Sequence, residues 1–266
     1  MLAMLGGARW KRQTARAVER LSPDRSPAPV AVVRYDRATL HGLPAPVTRY
    51  FDSVLTPGQP MVAAACIEWE GEFSMRPHRW SAFTATQHYR VHPPGFVWDA
   101  RIRMSGVLPV LVRDAYAGHE GSLRAAIGGI VKVAAQHGTA DIARGELLRY
   151  LGEAVWFPTA LLPSSGVTWT AIDDRSATAT LSDGSITVSL DAHFADSGEI
   201  ESLSAMRPRD VRGASVLTPW VARVRGYSRR HGMMVPASGD VEWQLPTGPL
   251  PYWRGRVVSA QYDFAR

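Results

Sequence analysis

Cysteine is almost absent from this sequence, and so are several features that would assign the chain to a class. Cys66 is the only cysteine, so no disulfide can form within the chain and nothing indicates an oxidising compartment. No apolar run approaches the roughly 20 residues that a membrane-spanning helix needs. The N-terminus begins with the apolar MLAMLGGA and then becomes basic, the reverse of the order in a secretory signal. We therefore expect a cytoplasmic protein.

Catalytic and cofactor-binding signatures are also missing. The sequence contains no GxSxG elbow, no P-loop, no GxGxxG after a predicted strand, no HExxH and no CxxC. His88 lies in a predicted strand and His92 precedes two prolines, so they cannot form the i, i+4 helical pair of a zinc site. We predict no bound metal and no cofactor, although a catalytic site assembled from distant residues needs no such motif.

Charge is unevenly distributed along the chain, which has a net charge of +6. Residues 1–50 and 205–266 each carry a net +6, and residues 51–204 carry −6. Basic ends could attract anionic ligands or membrane headgroups, and we consider weak membrane-surface contact through the basic N-terminus. No aromatic RNA-binding signature, helix-turn-helix or basic repeat accompanies the charge, so we expect no specific nucleic-acid partner.

Hydrophobic periodicity predicts a mainly β (α+β) protein. About ten segments alternate apolar and polar residues with a period of two, most clearly residues 186–194, and short turns join them. Such strands describe a large curved antiparallel sheet, or half-barrel. We expect residues 1–30 to form a basic, partly disordered N-terminal arm and linker. Residues 31–266 would form a single half-barrel domain.

One amphipathic helix is predicted over residues 139–162, within this strand-rich chain, and Pro158 either kinks it or begins a second short turn, Thr159 to Leu162. Thr139 is a plausible N-cap, and Leu147, Leu148 and Leu151 share an apolar face. Such a helix must cover the concave face of the sheet, because neither surface can bury its apolar side alone. Its Arg149–Glu153 pair would contribute only a few tenths of a kcal/mol if it were exposed.

The chain resembles an uncharacterised bacterial family that is described only as a domain of unknown function. The resemblance spans most of residues 44–264 and is carried by Glu146-Leu147, Arg149-Tyr150-Leu151, Trp156-Phe157-Pro158-Thr159-Ala160-Leu161-Leu162-Pro163 and Pro251-Tyr252-Trp253-Arg254-Gly255. It implies a half-barrel with a helix across its concave side, similar to bacterial lipoprotein-carrier folds. It implies no catalytic residues.

Ligand-binding candidates are aromatic residues and arginines in or near the predicted strands and helix, and the sequence leaves open which strand faces line the cavity. Aromatic rings commonly form the walls of small-molecule sites, and arginine can anchor a carboxylate or phosphate. The candidates are Trp98, Arg101, Arg103, Trp156, Phe157, Arg223, Tyr227 and Trp243.

Catalytic candidates come from two groups of ionisable residues, one on a predicted strand and one near a turn. Asp99 shares a strand face with Arg101 and Arg103, so it is either an acid/base group or part of a solvent-facing charge ladder. Asp114, Tyr116 and His119 lie near a turn, where a Tyr-His or Asp-His pair could transfer protons, and ordinary turn composition around Gly118 and Gly121 explains them equally well.

Three functions are consistent with these features. The leading one is binding of a hydrophobic or amphiphilic small molecule in a cavity between sheet and helix, so the expected partner is a hydrophobic or anionic small molecule. The first alternative is a cofactor-independent enzyme, such as a cyclase, isomerase or hydrolase, that uses the same cavity. The second is a peripheral membrane or partner-binding module.

Overall fold

The computed structural model describes residues 2–21, 32–76, 79–104 and 108–265. One curved, unclosed antiparallel sheet of thirteen strands dominates it, as the sequence predicts. Its order is β6-β5-β4-β3-β2-β1-β15-β14-β11-β10-β9-β8-β7, and β12 pairs separately with β13. The strands are β1 Val62–Arg76, β2 Arg79–Arg90, β3 Gly95–Ile102, β4 Val110–Ala117, β5 Glu120–Ile127, β6 Val131–His137, β7 Val167–Asp173, β8 Ser176–Asp183, β9 Ile186–Phe194, β10 Ile200–Val211, β11 Ala214–Arg225, β12 Ser228–Arg230, β13 Met233–Val235, β14 Ser238–Leu245 and β15 Gly248–Phe264. The α-helices are α1 Leu2–Glu19, α2 Ala45–Val54 and α3 Ala140–Glu153.

Alternating burial along the strands gives the sheet one core face and one outer face. In β9 the side chains of Val188, Leu190 and Ala192 are buried, and the residues between them are exposed. This is the pattern expected of a strand whose one face packs on a core. The alternation predicted for residues 186–194 is confirmed.

The centre of the sheet is the long pair β1 and β15. On the outer face, Glu68 accepts a hydrogen bond from Ser259, and Glu72 pairs with Arg254. On the inner face, Ile67 and the neighbouring apolar residues of β1 are buried. Cross-strand pairing outside and burial inside fix the register, because a slip of one residue would exchange the two faces.

Helix α3 crosses the concave side and contacts both halves of the sheet, β3 to β6 on one side and β9 and β10 on the other. Thr139 is its N-cap and accepts a hydrogen bond from the Ile142 amide, as predicted. The helix ends at Glu153, however, and three short 3₁₀ turns follow. Residues 139–162 are therefore not one continuous helix, and of the two possibilities at Pro158 the structure has the second, a short turn over Pro158–Leu161. Phe157 leaves helical geometry, and Pro158 has no N–H with which to continue the helical bonding.

Helix α1 packs on the outer face of the sheet, against β3. The indole of Trp10 is buried and donates a hydrogen bond to Asp99, and Arg113 stacks on its ring. Residues 2–21 are thus not the partly disordered arm that we expected, because Trp10 supplies enough buried surface to hold the helix in place. The predicted linker, residues 22–30, lies outside the described residues. Among the helices in the described part of the chain, none is long and apolar enough to cross a membrane.

Two side-chain contacts join the separated halves of the open sheet. Near one edge, Asp183 of β8 accepts a hydrogen bond from Tyr116 of β4 at 2.8 Å and lies 3.1 Å from the His119 ring. Elsewhere, Gln136 of β6 donates to Asp210 of β10 at 2.7 Å. These strands are not neighbours in the sheet, so the contacts span its concave side.

Replacement of Asp183 by alanine tests the first contact. The buried Tyr116 hydroxyl would lose its acceptor, so we expect D183A to lower the free energy of unfolding by about 1–3 kcal/mol. Urea unfolding followed by tryptophan fluorescence measures this. D174A, in an exposed turn, is the control and should change stability little. Equal stabilities for the two variants would contradict a stabilising role for the contact.

Candidate functional site

A cavity of about 470 Å³ lies between α3 and the concave face of the sheet. This volume is within the range of small-molecule sites, about 300–1,000 Å³. Six of the nine tryptophans line it: Trp69, Trp98, Trp156, Trp220, Trp243 and Trp253. Each indole presents a large, rigid apolar surface, so these rings give the cavity walls that can hold an apolar ligand.

An irregularity in β15 brings two consecutive aromatic residues to this cavity. The β14–β15 register shifts between Val241 and Glu242, opposite Tyr252, and both Tyr252 and Trp253 line the cavity. In a regular strand these neighbours would point to opposite faces. Gly255 makes room for the indole, because a Cβ there would lie 2.6 Å from the Trp253 ring.

Arg149 of α3 is the centre of the polar part of the cavity. Its guanidinium donates to Asp114 of β4 at 2.7 Å and to Glu153 at 2.8 Å. It also lies 5.1 Å from the centre of the Trp98 ring. Glu153 further accepts a hydrogen bond from Gln87. The Arg149–Glu153 pair would contribute little to stability on an exposed surface. Here it belongs to a buried network that joins α3 to the sheet.

Glu146 and Arg207 form a second, looser pair beside this network. Their closest atoms, Glu146 Oε1 and Arg207 Nη2, are 3.7 Å apart, and Glu146 Oε2 is 3.9 Å from Arg149. Arg207 also donates to the Tyr252 hydroxyl at 3.2 Å. Burial raises the pKa of Glu146 to about 7, and the nearby Asp114 carboxylate adds to this rise. Burial likewise raises the pKa of Asp114.

Four buried polar atoms of the cavity lining have no hydrogen-bond partner among the described residues. Two belong to carboxylates, Asp114 Oδ1 and Glu146 Oε2, and two are donors, Trp69 Nε1 and Arg207 Nε. Leaving such an atom unpaired costs about 1–3 kcal/mol, so the lining retains hydrogen-bonding capacity for a ligand. Within the described part of the chain, no group of three or more His, Cys, Asp and Glu residues is placed to hold a metal ion.

The predicted ligand-binding residues separate into those at the cavity and those elsewhere. Trp98, Trp156 and Trp243 all line the cavity. Phe157 lies beneath it, fully buried, with its ring 4.6 Å from that of Tyr89. Because Phe157 packs in the core, it is not part of the cavity wall.

The four remaining ligand-binding candidates lie away from this cavity. Arg101 belongs to the outer face near α1, and Arg103 is exposed just after β3. Arg223 pairs with Glu242 at 2.8 Å. Tyr227 follows the end of β11 and donates to the Ile200 carbonyl. Because β11 ends at Arg225, Arg223 and Tyr227 do not share one strand.

The catalytic candidates do not form one cluster. Asp99 faces α1 on the outer side, whereas Asp114 lines the cavity. Tyr116 and His119 meet Asp183 in the contact between sheet halves. Of the four, Asp114 alone is among the cavity-lining residues.

Sequence reasoning missed Glu146 as a site residue and treated Arg149 and Glu153 as a surface pair. The i, i+3 and i+7 spacing of these three residues is a signal, because it puts them on one side of α3. A charged stripe of this kind is equally typical of a solvent-facing helix.

Replacement of Arg149 by methionine tests the buried network. Asp114 and Glu153 would remain buried without their guanidinium, so we expect R149M to lower the free energy of unfolding by about 3–5 kcal/mol. R144M, at an exposed position of the same helix, is the matched control. Chemical denaturation of both proteins measures the difference, and similar losses in both would contradict the network's importance.

The raised pKa of Glu146 predicts a pH dependence of stability. Between its ordinary value of 4.5 and about 7, the folded protein holds a proton that the unfolded chain releases. The free energy of unfolding should therefore fall as the pH rises through this window, by about 3 kcal/mol from this residue. In E146Q, the free energy of unfolding should not fall by this amount over the same pH range. Denaturation curves between these pH values measure it, and identical pH profiles for both proteins would contradict the shift.

Comparisons with known proteins bear on the fold and the family. A solved LolA superfamily protein from Nitrosomonas europaea is similar at 12% identity over 83% of this chain and 92% of its own, with a TM-score of 0.33. A beta-barrel-like protein of domain of unknown function DUF1849 from Brucella abortus is similar at 8% identity over 77% and 99%, with a TM-score of 0.28. Likenesses this weak carry no argument about function. No curated protein matches the chain.

The model of the "Family of unknown function (DUF6920)" matches residues 41–262. This match covers most of the chain, including α3, the cavity lining from the sheet and the aromatic segment of β15. It confirms the resemblance to a family of unknown function. The chain therefore belongs to this family, DUF6920.

Proposed function

We propose that this protein binds a hydrophobic or amphiphilic small molecule in the cavity between α3 and the curved sheet. The observation that carries the proposal is the convergence of six tryptophans and a few polar groups on one cavity of about 470 Å³. Small-molecule sites are typically lined in this way, by apolar and aromatic walls with few polar groups that orient the ligand. We propose that this binding takes place in the cytoplasm, as expected from the sequence.

The aromatic lining provides a large apolar surface for an occupant. Trp69 packs edge-to-face on Trp156 and on Trp253, with ring centres 4.8 and 5.6 Å apart, so these rings hold one another in place. Trp243 stacks on Tyr252. A wall of mutually packed rings loses little conformational freedom when a ligand binds, and this favours affinity.

The cofactor-independent enzyme remains a second proposal because of Glu146. A carboxyl group with a pKa of about 7 inside a cavity is suited to general acid/base catalysis. Asp114 and Arg149 lie close enough to orient or stabilise a charged intermediate beside it. Conversion of a bound compound by the purified protein, abolished in E146Q, would favour the enzyme over a simple binding protein.

A pair of alanines in the edge strand β6 offers a matched test of binding. Ala134 lines the cavity, whereas Ala135 is exposed on the opposite face. We expect A134W to fill part of the cavity and weaken binding of the neutral dye Nile red by about ten-fold or more, a loss of about 1.4 kcal/mol. A135W should bind as the unchanged protein does. Fluorescence titration measures both affinities.

Two results would contradict binding in this cavity. The first is equal Nile red affinity in A134W and A135W. The second is a purified protein that binds neither the dye nor a co-purifying amphiphile in native mass spectrometry. Thermal unfolding of both variants shows whether they are folded before their affinities are compared.

A further inference from the structure

The charges of the cavity lining do not balance. The inner charged residues of the lining are Asp114, Glu146 and Glu153, with Arg149 and Arg207, whereas Asp210 is exposed and Arg209 part-buried at the rim. With every inner group ionised, the three acids against two arginines leave one uncompensated negative charge. The apolar walls and low accessibility of the cluster make such a charge costly, so an occupant that supplies a positive charge is favoured.

The position of the uncompensated charge follows from the hydrogen bonds. Arg149 is fully engaged with Asp114 Oδ2 and Glu153 Oε1 at hydrogen-bond distance. Glu146 is not hydrogen-bonded to either neighbouring arginine, since its closest approaches are 3.7 and 3.9 Å. Glu146 is 3% exposed and Asp114 8% exposed. Their unpartnered atoms, Glu146 Oε2 and Asp114 Oδ1, are therefore buried acceptors in need of a donor.

We propose, as a refinement of the function proposed above, that the ligand is an amphiphilic amine whose ammonium group donates hydrogen bonds to Glu146 and Asp114. An ammonium group has three donors and one positive charge, so it satisfies the two free carboxylate oxygens and the charge together. The tryptophan walls then contact the apolar part of the amine, and a ring face close to the nitrogen adds cation–π attraction.

This inference reverses the sequence-based expectation that arginine anchors an anionic group. Arg149 and Arg207 do lie at the cavity, but Arg149 is already paired with carboxylates, and Arg207 donates to Tyr252. An added anion would bring a second negative charge to a lining that already has one in excess. The unpartnered donors Trp69 Nε1 and Arg207 Nε favour an oxygen acceptor on the same ligand, next to its amine.

The raised pKa of Glu146 agrees with this assignment. In the empty cavity a proton on Glu146 removes the excess charge, and burial and Asp114 favour that proton. The groups that face Glu146 are Asp114 from β4, Arg207 from β10, and Arg149 and Glu153 from α3. An ammonium group would take the proton's place, so its binding should release a proton at neutral pH.

The experiment compares three probes with the same alkyl chain: n-decylammonium, n-decanol and n-decanoate. Calorimetric titration of the full chain at neutral pH gives their affinities. We expect decylammonium to bind about ten-fold tighter than decanol, because a buried charge-assisted hydrogen bond contributes that much affinity. Decanoate should bind most weakly of the three. Repeating the decylammonium titration in buffers of different ionisation enthalpy should show proton release.

Variants locate the ammonium site. E146Q should lose the preference for decylammonium over decanol and bind decanol as the unchanged protein does. E120Q, which alters an exposed glutamate at the start of β5, is the control and should keep the preference. If E146Q does not fold, D114N provides the same comparison, because it removes the charge from the other free acceptor.

The outcomes separate this inference from the function on which it rests. If decanoate bound as tightly as decylammonium, or if both E146Q and D114N kept the preference, the proposal of an amine ligand would be wrong. The proposal that the cavity binds a hydrophobic molecule would be unaffected. If none of the three probes binds, the proposed binding function itself fails. Tight decylammonium binding that E146Q weakens supports both.

Discussion

The buried guanidinium of Arg149 is the interaction on which this architecture depends. It holds Asp114 of β4 and Glu153 of its own helix at hydrogen-bond distance, and it is the central one of several polar links between α3 and the sheet. A charged group of this kind is stable inside a protein only when its partners are also in place. The position of α3, and with it the shape of the cavity, is therefore tied to one residue and its two carboxylates.

The same requirement explains why polar groups gather at one end of an otherwise aromatic cavity. Once Arg149 is buried, its partners must be buried too, and each carboxylate has a second oxygen that needs a donor. Glu153 obtains further donors from Gln87 and Tyr89. Asp114 keeps one oxygen free, and so does Glu146. The chemical character of the site is thus a consequence of how the helix is attached.

Much of the fold could be predicted from the sequence, because strand alternation is a local signal. The alternating apolar residues of β9 and the N-cap at Thr139 were both identifiable without tertiary information. The end of α3 was not, because Pro158 is compatible with either a kink or a stop. The short hairpin of β12 and β13 was hidden in what reads as a longer strand.

The site was less predictable, because its residues converge through tertiary contacts. Trp98, Trp156 and Trp243 could be nominated as walls from their type, but no sequence signal shows that strands so far apart meet around one helix. The polar stripe of Glu146, Arg149 and Glu153 has the spacing of an exposed surface. The stripe is a buried cluster only because the sheet covers it.

The open edges of the sheet determine how the size of the cavity is set. In a closed barrel, strand number and stagger fix the diameter. Here side chains link the two halves of the sheet: Tyr116 of β4 and the nearby His119 contact Asp183 of β8, and Gln136 of β6 contacts Asp210 of β10. A change of a few side chains can thus enlarge or shrink the interior without adding or removing a strand. Proteins with the same strand order can then enclose cavities of quite different sizes.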